Sequence, residues 1–468
     1  MTVIGGLCAR IRESLVPVNI PKGRVRTVAY GAQDIYLTGN PSITFWKTVY
    51  RRYTSFALES IEQTFNGTVD FGKKISCTIS RNGDLVSTMF LEVTMKKAAT
   101  ASYYPAENFV KEVELEIGGQ RIDKHYADWF RIYDELFRTG DEKLAYRRMV
   151  DFDRPAAAQD TAVTKRFYVP LIFFFNKTPG LALPLIALQY HEVKLNFTLA
   201  SAAEMALNGV DTTSTPTAAL YVTYVFLDTD ERRRYAQTSH EFLITQLQHT
   251  GPETLAPGAS ARTTNVRLNY NHPTRFLAWA VKGTNHGEFT LRNRGEVSDK
   301  FAPLKAVKLQ LNGLDRFSER RGSYFSQVQP YEHLKARPGA GVYMYNFGLR
   351  PDETQPSGSC NLSRIDNATL VVTTKAGSVG LTGDVEANIV TEDDTLANIS
   401  GNLTNLLVFA ENFNVLRVMS GIISGHYPNN ITSGNCQNHL SPTASCHREL
   451  RAFASVGKQC NYPAVLMC

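Results

Sequence analysis

The sequence is poor in most of what a membrane protein, a secreted domain or a catalyst would show. No unbroken apolar run reaches the ~18 residues a membrane span needs; the nearest candidate, VPLIFFF at 169–175, stops at Asn176. No basic stretch, apolar stretch and cleavage site follow one another at the start, so no secretory leader is expected. The cysteines number seven, and an odd count argues against a secreted disulfide framework. These absences together lead to the expectation of a soluble intracellular product. Motifs of chemistry are missing too: no GxxxxGKS/T phosphate loop, GxGxxG, GxSxG elbow, HExxH or EF-hand loop occurs. His191 and Glu192 are neighbours within YHEVK, but in a strand they point to opposite faces and cannot act as a pair. Adjacent carboxylates such as Asp134/Glu135, Asp141/Glu142 and Asp393/Asp394 read as solvated faces. No enzyme and no cofactor are expected.

Charge of one sign is also scarce over most of the chain. Of the net +6, residues 1–30 hold +4 (Arg10, Arg12, Lys22, Arg24 and Arg26 against Glu13) and residues 427–468 hold +2 (Arg448, Arg451 and Lys458 against Glu449). The stretch 31–426 is formally neutral. Specific nucleic-acid binding wants a basic face on the folded part, so it is not expected here.

What the sequence does have is β pattern. Runs rich in Val, Ile, Phe, Tyr and Thr, at 75–79, 89–95, 112–117, 193–199, 220–227, 276–281, 306–311, 342–347, 369–373 and 415–419, are separated by turn residues. Two helices interrupt them. Asp123 is a plausible N-cap before Tyr126, Trp129, Phe130, Tyr133, Leu136 and Phe137, which share one helical face. That face should lie on a barrel flank. After GNPS, with Asn40 as cap and Pro41 at the first helical position, Phe45, Trp46, Val49 and Tyr50 share another, read as a packing face.

An internal repeat organises the whole. KEVELEIGGQRID (111–123) and KAVKLQLNGLDRF (305–317) align without a gap at an offset of 194 residues, with Lys111/Lys305, Val113/Val307, Leu115/Leu309 and Gly119/Gly313 identical. Each alternates apolar and polar residues into a tight turn, Gly118-Gly119 or Asn312-Gly313, where positive φ is tolerated. Two such hairpins so far apart imply a β-domain duplicated in tandem, with the joint near DTDERRRYAQTSHE (228–241). The expected fold is all-β: two tandem eight-stranded jelly rolls with long loops and a few short helices. The divisions are a basic N-terminal arm (1–30), a first jelly roll (31–230), a second (231–426) and a Cys-containing tail (427–468).

The tail offers Cys436, His439, Cys446 and His447 as weak zinc candidates. Zinc favours thiolate and imidazole ligands two to four residues apart, and these spacings are irregular, so a tail with free thiols is the expectation. Of eight Asn-x-Ser/Thr triplets, those at Asn398, Asn402 and Asn430 lie in exposed-looking loop or tail and are the candidate glycosylation sites.

Several long strings then carry a resemblance: GAQDIYLTGNPSITFWKTVYRRYTSFALESI (31–61), VELEIGGQRIDKHYADW (113–129), FFFNKTPGLALPLIALQYHEVKLN (173–196), LQLNGLDRFSERRGSYFSQVQPY (309–331), QPSGSCNLSRIDNATL (355–370) and ENFNVLRVMSG (411–421). In order and in wording they resemble the major capsid protein of nucleocytoplasmic large DNA viruses. The resemblance implies a double jelly-roll protein whose homotrimers form pseudo-hexagonal capsomers of an icosahedral shell. It implies contacts with neighbouring capsomers, minor capsid proteins, a vertex (penton) protein and an internal membrane, assembly in the host cytoplasm, and a place in the virion. Asn40 and Pro41 would sit near the capsomer base, and Arg364 and Asp366, within SGSCNLSRID, would form a local or inter-subunit ion pair. Phe173, Phe174, Phe175, Trp129 and Trp279 read as core or barrel-to-barrel packing. The alternative reading is a carbohydrate-binding β-sandwich module on a particle surface, since fold alone does not fix function.

Overall fold

The computed structural model describes residues 31–97, 105–150, 163–207, 210–255, 261–283, 303–336, 338–339, 341–375, 403–419 and 422–425. The chain divides into a unit ending at Thr54 and a larger one beginning at Ser55.

Among the described residues of the larger unit, four antiparallel sheets each have a continuous path of four strands, sixteen in all, with five short strands paired beside these paths. The first eight are β1 (Phe56–Gln63), β2 (Lys74–Thr78), β3 (Leu85–Lys97), β4 (Val110–Ile117), β5 (Gln120–Tyr126), β6 (Val163–Pro170), β7 (Val193–Leu199) and β8 (Thr217–Leu227). They pair in the orders β1-β8-β3-β6 and β2-β7-β4-β5. The second eight are β9 (His240–His249), β10 (Thr263–Arg267), β11 (Pro273–Gly283), β12 (Leu304–Leu311), β13 (Leu314–Asp315), β14 (Val342–Asn346), β15 (Ala368–Thr374) and β16 (Leu403–Met419). Their orders are β9-β16-β11-β14 and β10-β15-β12-β13. Adding eight to each strand number of the first half reproduces the second. Two facing four-stranded sheets with this crossing order make a jelly roll, and the chain holds two.

The correspondence reaches single residues. Val113 and Leu115 of β4 lie opposite Phe197 and Leu195, while Val307 and Leu309 of β12 lie opposite Val372 and Leu370. All eight are buried. The two hairpin turns also match: φ is +59° and +82° at Gly118 and Gly119, and +51° and +78° at Asn312 and Gly313. The turn's first amide donates to the neighbouring strand's loop in both barrels, Gly118 N to Glu192 O at 2.9 Å and Asn312 N to Asn367 O at 2.7 Å. Even the irregularities recur, since β3 is bulged between Val86 and Met89 and β11 between Thr274 and Phe276.

Inward residues of the second barrel, including Leu277, Trp279, Val281, Phe325 and Tyr343, form a core of their own. The first barrel's core instead runs on into the second barrel's outer sheet face, taking in Phe276, Ala278, Met344 and Phe409. The joint between the halves is a helix, Thr229–Gln237, started by the Asp228 side chain, which accepts from Thr229 N. Among the described residues no helix is long and apolar enough to cross a membrane.

Both sequence-derived helices need correction. The helix beginning near Asp123 starts at Ala127 and ends at Phe137, with Tyr126 as its N-cap. Asp123 lies inside β5, buried, with its carboxylate 3.0 Å from His125 Nε2. The helix after Pro41 does not form: residues 41–54 contain no helix, and a short one, Ile35–Thr38, precedes them instead. Asn40 takes φ +50°, which is a turn conformation rather than the extended one of an N-cap. Helices of this length draw their stability from a packed apolar face, and Phe45, Val49, Tyr50 and Trp46, the last 94% exposed, are not packed.

Candidate functional site: the seam between the barrels

For a molecule made of two like barrels the informative site is the seam that fixes one against the other. The helix Ala127–Phe137 supplies its centre. Its 3.6-residue period buries Trp129, Phe130, Ile132 and Leu136 and lays the Trp129 ring over Phe409 at 5.5 Å and Phe276 at 6.4 Å, with Phe137 on Phe276 at 5.3 Å. These partners belong to β16 and β11, on the outward face of the second barrel's sheet. Aromatic pairs in this range add stabilisation beyond the area they bury.

Polar links surround this apolar centre. Leu247 N donates to Asp123 Oδ1 at 3.0 Å, and Gln246 Nε2 to Ile122 O at 2.5 Å. His125, stacked on Phe173 at 4.5 Å, holds the other Asp123 oxygen. At the helix start Lys282 pairs with Asp128 at 2.6 Å. A buried cluster lies beyond the helix: Glu411 accepts from Lys177, which comes from the first barrel, and from Arg275 at 3.2 Å. Arg275 also donates to Pro351 O and, at 3.1 Å, to Glu353 O. Burial alone would raise the Glu411 carboxyl, but the Lys177 ammonium and Arg275 guanidinium hold it below its ordinary value. Burial opposes the charge on Lys177, and Glu411 outweighs it, so its ammonium is strengthened. A buried carboxylate between two cations works as a fixed lock rather than as an acid or base.

A second buried cluster stiffens the helical flank of the first barrel. Tyr146 donates to Glu107, and Arg138 stacks on the Tyr146 ring at 3.4 Å while pairing with Asp134 at 3.1 Å. Burial pushes Glu107 up to about 8, and Asp134 up to about 6 against the pull of Arg138. Lys143 and Arg147 hold Glu135, whose Oε2 also accepts from Gly339 N at 2.9 Å, tying this flank to a loop of the second half.

The residues singled out from sequence fall in several places. Gly118, Gly119, Asn312 and Gly313 occupy the paired turns, away from the seam's aromatic centre. Arg364 ends a short 3-10 turn, Leu362–Arg364, and both it and Asp366 are exposed with no ion pair between them. Asn40 and Pro41 lie in the unit before Ser55. Phe173, Phe174, Phe175, Trp129 and Trp279 are all buried; Trp129 packs across the seam, and Trp279 lies inside the second barrel. Asn398, Asn402, Asn430, Cys436, His439, Cys446 and His447 lie outside the described residues. Among the described residues no group of three or more His, Cys, Asp or Glu side chains is placed to hold a metal. Sequence reading passed over Lys177, Arg275 and Glu411. Their signal was a charge inside an apolar run, Lys177 after LIFFFN and Glu411 within LLVFAENF.

Two family models cover this architecture, one barrel each. The model described as major capsid protein N-terminus matches residues 44–228, and that described as large eukaryotic DNA virus major capsid protein matches 231–424. The chain belongs to the large eukaryotic DNA virus major capsid protein family. Within that family it is 52% identical over 438 residues to the major capsid protein of Paramecium bursaria Chlorella virus 1, covering 87% of this chain and 99% of that one. It is 44% identical over 436 residues to the major capsid protein of Pyramimonas orientalis virus, again covering 87% and 99%. Among solved structures the PBCV-1 virus capsid contains a chain superposing with a TM-score of 0.74 at 47% identity, over 82% of this chain and all of that one. The Faustovirus major capsid protein, 12% identical with a TM-score of 0.62 over 88% of this chain and 97% of that one, shares the fold. As a major capsid protein the chain is a structural, non-enzymatic component of the virion that builds a shell with copies of itself. The carbohydrate-binding alternative finds no support in these relatives.

Proposed function

We propose that three copies close into a ring of six barrels, the pseudo-hexagonal capsomer of an icosahedral shell. The observation that carries this reading is the repeated strand order. Each chain holds two like barrels in a fixed relation, so three chains offer the six similar edges that strict sixfold packing would take from six. Rings of this outline tile a flat facet by contact with neighbouring capsomers and leave the fivefold vertices to a different, penton protein. Minor capsid proteins and an internal membrane lie beneath, assembly takes place in the host cytoplasm, and the basic residues 1–30 face the acidic lipid surface. The division at 30, 230 and 426 belongs to the same reading, and the family-model boundaries at 228 and 231 support its middle joint.

Negative-stain microscopy and native mass spectrometry of the purified chain test the reading. Hexagonal particles of three times the chain mass are expected, and a purely monomeric protein would reject it. Arg364, exposed and without a partner carboxylate in its own Asp366, is placed to pair between copies. Arg364→Ala should then weaken the trimer in native mass spectrometry; an undiminished trimer removes that role and leaves the rest.

A further inference from the structure

The duplication supplies one complete barrel-to-barrel interface and both unmatched halves of another. Inside the chain, the helix that follows β5 covers the outer face of the β9-β16-β11-β14 sheet. The corresponding helical stretch of the second barrel follows β13: a π-helical turn, Tyr324–Val328, running into the helix Gln329–His333. Phe325 anchors it to its own core, as Phe130 anchors the first. The outward side of this stretch stands open. Tyr331 is 87% exposed, and Leu349, held to the helix by a 2.9 Å contact between its carbonyl and His333 Nδ1, is 71% exposed. Beside Tyr331 runs a groove of about 520 Å³, lined by Val328, Pro330, Leu334 and Ala336 with Gln327 and Lys335 as its polar members.

The counterpart of the covered sheet is the outer face of β1-β8-β3-β6. With the two bulges aligned, Phe90 takes the place of Ala278 and Tyr221 that of Phe409, since Phe90 pairs with Tyr221 as Ala278 pairs with Phe409. Here, among the described residues, the aromatic centre is only half-buried, whereas Ala278 and Phe409 are fully buried. Phe90 stacks on Tyr221 at 5.1 Å and meets Tyr168 edge-on at 6.0 Å, all three half-buried, while Phe56 and Leu58 of β1 are exposed.

We infer that these two surfaces meet between copies: the 324–333 flank of one chain covers the outer face of the first barrel of a second chain. The inference builds on the trimer reading and names its contacts. The occupant is another copy because the chain already joins like surfaces in this way, and repeating the join head to tail is what closes a ring. Aromatic residues at the centre of both faces are the type that dominates interface energies.

Native mass spectrometry of Tyr331→Asp and Tyr221→Asp chains tests it, with thermal melts reporting that each folds. Each should raise the trimer dissociation constant at least about thirtyfold. Mixed together, they should form one-to-one heterodimers that do not close, because each supplies the face the other lacks; a heterodimer also shows that both variants are folded. In hydroxyl-radical footprinting, Tyr331 should be oxidised more slowly in the wild-type trimer than in the monomeric Tyr221→Asp chain. Trimers that survive both substitutions, or a Tyr331 equally reactive in the wild-type trimer, overturn these surfaces while the trimer stands. A wild-type chain that never trimerises overturns the reading beneath them.

Discussion

Single buried charges decide how the halves hold together and how that hold responds to pH. Glu411 sits between Lys177 and Arg275, and replacing it with Gln leaves two buried cations without a counter-charge. Removing one partner of a buried pair costs about 3–5 kcal/mol, so Glu411→Gln should lower the melting temperature strongly. Lys177→Met in the same chain should recover part of the loss, since only the unpaired charge makes it large. Additive losses would show that the pair is not coupled. Glu107 predicts a different signature. Its folded pKa of about 8 lies above the ordinary 4.5, so the folded state binds the proton more tightly than the unfolded one. That contribution is complete below the ordinary value and drains away as pH rises through the folded one. Wild-type melting temperature should therefore fall between about pH 5 and about pH 8.5, and fall less in Glu107→Gln, which keeps an acceptor for Tyr146. Parallel profiles for the two proteins would discard this account.

At the level of elements, the two hairpin turns look interchangeable and are not. A Cβ on Gly118 would lie 2.5 Å from His191 Nδ1, whereas the matching position in the second barrel already carries Asn312. Gly118→Asn should destabilise the first barrel by about 1–3 kcal/mol, while Asn312→Gly, which loses only the exposed bond that Asn312 Oδ1 accepts from Asn367 N, should cost about 0.5–1 kcal/mol. Equal costs in chemical denaturation would mean that His191 yields freely. The same scale explains what the sequence made legible. All eight strands at the centres of the four sheets (β3, β4, β7, β8, β11, β12, β15 and β16) stood out as apolar runs, together with the edge strands β2 and β14. Of the others, β5 and β13 showed only as the return arms of the two repeated hairpins and β1, β6, β9 and β10 were passed over; all six end a sheet path. Edge strands carry charge and polar residues that blunt unwanted pairing, as in Phe56-Ala-Leu-Glu-Ser-Ile-Glu-Gln63, and this erases the alternation that marks a strand. The Phe45–Tyr50 face misled for the converse reason: helical spacing was present without a surface to pack on. The seam was half legible, because the aromatic stripe from Tyr126 to Phe137 announces a buried face but not what buries it. Only the three-dimensional meeting with Phe276 and Phe409 supplies that.

Across the whole molecule the charge distribution separates the shell-building part from the part that looks elsewhere. Residues 31–426 sum to zero, so like barrels pack side by side without accumulating long-range repulsion. The surplus is confined to the ends, and five of the basic residues fall within the first 26. A cluster of this size near an acidic leaflet is worth about 1 kcal/mol per Lys or Arg, within a Debye length of the surface. Full-length capsomers should therefore co-sediment with vesicles containing phosphatidylserine and not with neutral phosphatidylcholine vesicles. Binding should weaken steeply as salt is raised, because the attraction is between solvated charges. A chain lacking residues 1–26 should keep its trimers, whose proposed contacts lie wholly after Ser55, and lose the vesicles. Two results would go against this division of labour. Trimers that fail without the arm would make it part of the ring rather than a membrane contact. Equal sedimentation of the truncated and full chains would move the membrane contact beyond residue 26, for instance to the run Arg232-Arg233-Arg234.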